Sequence, residues 1–291
     1  MSFLDVVLQA EVSRYEDADF AEHALRYCDE QLDSRDEVIK SLRNMIFERG
    51  EFKPRRTDDA YLLRFLRARR FIPKRAHRMM ARYEEFRRKN QYLYRDVDIF
   101  KLTCLKGVYE GIVPDSPVWG RICILRFANW NPAEVPTEDL LRLSILMCEI
   151  GVMQPRLQIL GFTIIIDLEG FSVQHARHFN TDIIKQLIYF TGGACPITLR
   201  GIHIINSSWL FNTLFNMTKP FLPAAAWDIL YFHGSGPNSL RRHIDRVNLP
   251  PRYGGACQYV VPSELWLTKI KKYKDDFLTE ELRALGYIVK D

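Results

Sequence analysis

Few residues in this 291-residue chain have the types and spacing that chemistry requires. Asp167 and Glu169 in IIIDLEG stand two apart, so at a strand end they would project from one face as an acid/base pair or a cation site. No histidine or third carboxylate stands at a fixed spacing beside them, and a satisfied carboxylate at a strand-to-loop junction is the plainer reading. His175 and His178 in QHARH are three apart, where capping or surface roles outrank metal ligation without a partner motif. ILYFHGSGPNSLRRHI has the strand, glycine loop, helix order of a phosphate cradle. It lacks a Lys-Ser/Thr pair after the loop and an acidic residue about 20 positions on, so a nucleotide enzyme is only an outside reading. There is no Gly-x-Ser-x-Gly elbow. The six cysteines, 28, 104, 123, 148, 195 and 257, contain no C-x-x-C pair and read as small buried thiols, reduced.

The elements that must position these residues divide the chain in two. Residues 20–94 have helical periodicity throughout, with Thr57, Asp58 and Asp59 before one helix and Pro73 in the first turn of the next. From about residue 96 the pattern alternates. RICILRF, LGFTIIIDLEG and RGIHIINSS read as strands, separated by helical TEDLLRLSILMCEIGVMQ and NTDIIKQLIYFTGG, which predicts right-handed crossovers and a mostly parallel, doubly covered sheet. ELWLTKIKKYKDDFLTEELRALGYIV closes the chain with one or two helices.

With 47% hydrophobic and 26% charged residues the composition is that of a globular protein, and no run of about 18 apolar residues spans a membrane. The acidic N-terminus MSFLDVVLQAEVSRYEDADF lacks the pattern of a secretory signal, so a cytoplasmic location is expected. The net charge of +5 conceals a strong asymmetry. Residues 1–50 hold 6 Lys/Arg against 12 Asp/Glu, residues 51–95 hold 15 against 5, and the remainder holds 20 against 19. The basic segment could meet nucleic acid, an anionic membrane or the chain's own acidic segment. Its aromatics, Tyr61, Phe65, Phe71, Tyr83 and Phe86, fall at helical core spacing and form no stacking platform, which disfavours nucleic acid.

In order, DDAYLLRFLRARRF, FTIIIDLEGF, RGIHIINSSWLFNTLFNMTKPFL, YFHGS and LPPRYGG resemble the CRAL-TRIO (Sec14-like) lipid-binding family, in the branch of the tocopherol and retinaldehyde carriers and the clavesins. The resemblance implies an α/β fold. A helical N-terminal domain (1–95) is followed by a CRAL-TRIO domain (96–265) with a mostly parallel sheet, covering helices and a mobile lid helix, and by a C-terminal helical extension (266–291). It also implies a lipophilic ligand in an apolar cavity and no enzymatic activity. Positions similar to the cavity lining are Leu141, Ser144, Ile145 and Cys148 on one helix, Phe162, Ile164, Ile166 and Phe171 on and after a strand, and Phe179, Leu187, Phe190, Thr191, Ile197 and Ile202 beyond. Ordinary core packing would produce the same periodicity. The few polar members suit a ligand with one polar end, such as a tocopherol-, retinoid-, carotenoid- or sterol-like compound, better than a buried phosphate.

The lid of the resemblance is WLFNTLFNMTKPFL. On a helical wheel Leu210, Leu214, Met217 and Phe221 cluster within about 60°, and Phe211, Phe215 and Leu222 widen the apolar arc to about 160°. Pro220 predicts a break near residue 219. Six such side chains, at about 1.5–3 kcal/mol each, would oppose opening into water by roughly 9–18 kcal/mol. Transfer onto an anionic bilayer removes most of that cost. Arg69 and Arg200 match the family's phosphoinositide cluster, with Lys219 close by, whereas Thr198, Ala225 and Ile229 replace basic residues and Arg252 replaces an acidic one. Arg241, Arg242 and Arg246 are alternative cations. The implied partners are a hydrophobic small molecule and an anionic membrane surface, touched transiently by a monomer. A phosphoinositide-recognising adaptor or a Sec14-type phospholipid exchanger is the rival reading.

Overall fold

The computed structural model describes residues 20–114, 118–234, 237–273 and 276–290. Four helices come first: α1 (Phe20–Cys28), α2 (Arg35–Arg49), α3 (Asp59–Ala68) and α4 (Pro73–Lys89). Asp58 caps α3 by accepting a hydrogen bond from the Tyr61 amide at 3.1 Å, and Pro73 opens α4 as its sequence position predicts. Leu42, Ile46, Leu62, Phe65, Leu66, Met79, Met80 and Tyr83 fill the space between α2, α3 and α4.

The second unit is a six-stranded sheet: β1 (Tyr109–Ile112), β2 (Arg121–Arg126), β3 (Phe162–Asp167), β4 (Leu199–Ile205), β5 (Leu230–Phe232) and β6 (Val260–Pro262). The spatial order is β5-β4-β3-β2-β1-β6. Strands β2 to β5 run parallel, and β1 and β6 extend the sheet antiparallel. Helices α5 (Thr137–Gly151) and α6 (Pro155–Leu160) cross between β2 and β3, α7 (Val173–Arg177) and α8 (Thr181–Tyr189) between β3 and β4, and α9 (Trp209–Thr218) between β4 and β5. A four-residue helix, α10 (Pro237–Leu240), follows β5, and α11 (Ser263–Tyr273) and α12 (Asp276–Leu285) end the chain. The chain enters the central strand β3 through Gly161 at φ 72°, where a Cβ would sit 2.2 Å from the Thr198 carbonyl oxygen. Only glycine fits there.

The pleat divides the sheet into two unlike faces. Ile112, Ile122, Ile124, Ile165 and Ile205 share one face and pack with Leu240, Ile244, Leu249, Tyr253 and Cys257 into a closed cluster. The other face carries Tyr109, Leu125 and Ile166 in one row and Gly111, Cys123, Ile164 and Ile202 in the next. Every residue of β3 on that second face is only half-buried, although β3 lies in the middle of the sheet.

Among the described residues no helix is long and apolar enough to cross a membrane, and no cluster of His, Cys, Asp or Glu could hold a metal ion.

Candidate functional site

The residues singled out for acid/base chemistry have structural partners. Asp167 accepts hydrogen bonds from the Tyr253 hydroxyl (2.8 Å) and Asn206 Nδ2 (2.9 Å), which ties the end of β3 to two loops. His175 Nδ1 accepts from the Ser172 amide at 3.1 Å in a capping box, so its Nε2 donates to the Trp130 carbonyl at 3.0 Å. The glycine loop lies partly outside the described residues, since Ser235 and Gly236 are not described, and α10 after it is a single turn.

The second sheet face is different. Phe162, Ile164, Ile166, Leu125 and Cys123 on the strands, Ser144, Met147 and Cys148 on α5, Leu187 on α8, and Phe171, Phe179, Thr191 and Ile202 all keep accessible surface. Cys123 and Tyr109 lie on this face. Burial pushes the Cys123 thiol up to about 12 and raises the Tyr109 phenol. Both residues are half-buried. Leu141, Ile145, Phe190 and Ile197, also singled out from the sequence, are closed core with almost no accessible surface.

The polar groups among these residues are few and mostly occupied. Ser144 Oγ donates to the Leu140 carbonyl at 2.8 Å and meets the Tyr109 hydroxyl, and Thr191 Oγ1 donates to the Leu187 carbonyl at 2.8 Å. The hydrogens of Ser144 and Thr191 are thus spent on the helix carbonyls i−4. Tyr109 uses its own on Ser144 or on Leu140 O at 3.4 Å. Free lone pairs remain, so these hydroxyls can accept hydrogen bonds but have no spare hydrogen to give.

Helix α9 covers this region by packing on α7 and α8. Asn206, in the left-handed region at φ 55°, turns the chain out of β4, and Ser208 Oγ caps α9 by accepting from the Phe211 amide at 3.3 Å. Aromatic rings run through it in sequence: Phe127 to Phe171 (5.5 Å between centroids), Phe171 to Phe211 (5.8 Å), Phe211 to Phe215 (6.1 Å), and Phe215 to Phe232 (5.1 Å) and Trp227 (6.3 Å). The helix stops at Thr218, and a 3-10 turn over Lys219–Phe221 carries Pro220.

The wheel placed two lid residues wrongly. Leu210, Phe211, Leu214, Phe215 and Leu222 are half-buried, but Met217 (53%) and Phe221 (40%) are exposed, with Trp209 (77%), Trp227 (46%) and Phe232 (45%). Phe221 lies beyond the helix end, where the 100° period no longer applies, and Thr218 takes the buried position in the last turn. The burial of four half-buried side chains on α9 contributes roughly 3–6 kcal/mol, well below the sum for six buried ones.

The three basic residues have separate surroundings. Arg200 gives its hydrogen bonds to the Ile159 and Leu160 carbonyls (both 3.1 Å), closing the end of α6, and lies over Tyr27. Lys219 Nζ is 5.8 Å from the Phe215 ring centre. Arg69 ends α3 beside Arg75 and Arg82 of α4, and burial with these two cations depresses its pKa. Arg82 Nη1 lies 3.0 Å from where a Cβ on Gly193 would stand, so this guanidinium packs closely against the Gly193 backbone. Part of the basic segment is neutralised by the acidic one: Glu30 takes Arg67 Nε at 2.8 Å, and Asp29 takes Arg70 at 2.7 and 2.8 Å.

Comparison with known proteins agrees with this architecture. The CRAL/TRIO domain model matches residues 120–255 and the CRAL/TRIO N-terminal domain model residues 30–82. Clavesin-1 of Rattus norvegicus is 33% identical over 242 residues, 81% of this chain and 68% of the relative. The chain belongs to the CRAL/TRIO family. Clavesin-2 of Homo sapiens is 32% identical over 233 residues, 78% of this chain and 70% of its own. The solved structure of Sfh5 has 14% identity and a TM-score of 0.44 over 85% of this chain and 99% of that one. The CRAL/TRIO family binds and transfers lipids, and its members are generally not enzymes.

Proposed function

We propose that this CRAL/TRIO protein carries one lipophilic molecule with a single hydroxyl group between membranes, enclosed between the sheet and α9. The observation that carries the reading is the apolar face in the middle of the sheet, where Phe162, Ile164, Ile166, Leu125 and Cys123 stay only half-buried, with the aromatic rings of α9 packed beside Phe171. Apolar area supplies affinity, and the acceptor-only end at Tyr109 and Ser144 selects a hydroxyl donor over an aldehyde or a carboxylate. A retinol- or tocopherol-like alcohol fits better than a retinal-like carbonyl.

Trp209, Met217, Phe221, Trp227 and Phe232 offer the bilayer an apolar edge before any opening, and indole rings favour the interface. A cost of roughly 3–6 kcal/mol is small enough for such contact to offset. Arg75 and Arg82, together with Arg69, face the anionic surface in place of the basic residues missing at Thr198, Ala225 and Ile229; they contribute about 1 kcal/mol each.

Fluorescence titration with retinol and retinal tests the hydroxyl preference. One added hydrogen bond of about 1 kcal/mol predicts a preference for the alcohol of about fivefold, abolished by Tyr109→Phe with Ser144→Ala. Equal binding of both, or tighter binding of the aldehyde, contradicts the polar-end assignment.

A further inference from the structure

The opposite face of the same sheet carries a group of imidazoles that the cavity does not use. His203 on β4 and His233, one residue past β5, are 3% and 2% exposed, and His203 Nδ1 lies 2.9 Å from His233 Nε2. His233 Nδ1 meets Ser239 Oγ at 2.7 Å. The His203 ring stacks on Tyr231 of β5 at 5.0 Å, and His243, after α10, tilts over Tyr231 at 4.4 Å and stands 5.5 and 5.4 Å from the other two imidazoles. Gly201 makes room for the arrangement: a Cβ there would lie 2.9 Å from His203 Nε2.

These contacts bind the three-residue edge strand β5 to β4 and to the segment after it. Strand β5 also holds the lid. Its Phe232, next to Tyr231 and on the opposite side of the pleat, meets Phe215 of α9 at 5.1 Å. We infer that the cluster of His203, His233 and His243 is a pH-sensitive latch, which clamps β5 while its two buried imidazoles are neutral and releases the strand, and with it the hold on α9, when they are protonated.

The electrostatics of the site have one direction. His203 is acted on by His233 and His243, and His233 by His243; among the described residues no carboxylate is among the charges that act on either ring. From β3 the register sets apolar Ile165 beside His203, β5 brings the Tyr231 phenol, and Arg241, Arg242 and Asp245 beyond α10 are exposed. A first proton would place an imidazolium in a buried site without a counter-ion. A second would set two N–H groups face to face. Burial, then His233 and His243, accordingly depress His203 to about 4, and burial and His243 depress His233.

Because these folded-state values lie below the ordinary value near 6.5, the clamp is fully effective above pH 6.5. It weakens as pH falls from there toward 4. If His203 regains its ordinary value on opening, the open fraction rises about tenfold at pH 5.5 and on the order of thirtyfold at pH 5. An anionic membrane surface at about −30 mV lowers local pH by roughly half a unit and acts in the same direction.

The test is amide hydrogen exchange of the full chain without lipid at pH 7.5 and 5.5, corrected for intrinsic rates. Amides of residues 228–234 should exchange about tenfold faster at pH 5.5 while α2 and α4 stay unchanged. His203→Asn with His233→Gln should remove the difference. Should that variant fail to fold, NMR titration of the wild-type imidazoles serves, with coupled titration well below 6.5 as the expected result. Uniform exchange across the fold, or independent titration near 6.5, overturns the latch. The effect on α9 rests on its reading as a lid, so retinol retention is followed under the same conditions. If exchange responds and retention does not, the latch stands and the lid reading falls.

Discussion

Glu110 is buried in β1 on the closed face of the sheet, and its carboxylate pairs with Arg252 and, at 3.6 Å, with Arg126 of β2. The arginine in LPPRYGG, which had no explanation at the level of residue pattern, is thereby accounted for as one arm of a three-residue ion pair spanning 142 positions of sequence from Glu110 to Arg252. Replacing Glu110 with Ala leaves two guanidiniums facing each other, and should lower stability by about 3 kcal/mol in urea denaturation, at the low end for a broken buried pair because both arginines keep some solvent contact. A loss below about 0.5 kcal/mol would contradict the pairing. Legibility at this scale followed the range of the interaction. Phe162, Ile164 and Ile166 were readable because a strand alternates, whereas Tyr109, Cys123, Leu125 and Met147 join them only through strand pairing and helix packing that no local period encodes. The thiols Cys28, Cys123, Cys148, Cys195 and Cys257 are free, as their spacing suggested.

At the scale of elements, α9 is determined by its two ends. Asn206 sits in left-handed backbone and donates to Asp167, so Asn206→Ala should cost about 1–2 kcal/mol, measured by chemical denaturation. Between the ends, Phe215 joins the helix to Phe232 and Trp227. Phe215→Asp should speed the loss of bound retinol by about tenfold or more, read by stopped-flow dilution, since a half-buried aromatic contributes about 1–1.5 kcal/mol and the carboxylate adds a desolvation penalty. Trp209→Ala with Trp227→Ala removes exposed rings; stability should change by less than about 0.5 kcal/mol each while flotation with anionic vesicles falls several-fold. The break at Pro220 was legible from one residue, because proline lacks the amide that the next turn needs. The exposure of Met217 and Phe221 was not, since a wheel assumes that the helix continues. Strands β1 and β6 were likewise missed: they are four and three residues long and antiparallel, outside the alternation that announced the parallel strands.

Across the whole molecule, the N-terminal helices are tied to the sheet unit by buried polar contacts. Glu149 on α5 accepts hydrogen bonds from Tyr83 (2.8 Å) and Tyr94 (3.2 Å), and Arg67 on α3 joins Glu30 to Gln158 on α6. Glu281 of α12 collects Arg55, Arg56 and Arg64, so the C-terminal helix neutralises part of the basic segment. Arg69 stands with Arg75 and Arg82 as a group of cations in the same segment. Arg75→Glu and Arg82→Glu should each weaken binding to vesicles containing anionic lipid by at least about fivefold at low salt, and raising the salt should shrink the difference. The proposed carriage requires the apolar sheet face beside α9 to hold a lipid. Native mass spectrometry of the protein equilibrated with vesicles containing tocopherol or retinol, followed by transfer to ligand-free acceptor vesicles, tests this most directly. A one-to-one complex with the alcohol, delivered faster to anionic than to neutral acceptors, is the expected result; a protein that stays empty, or that takes up only phospholipid, would contradict it.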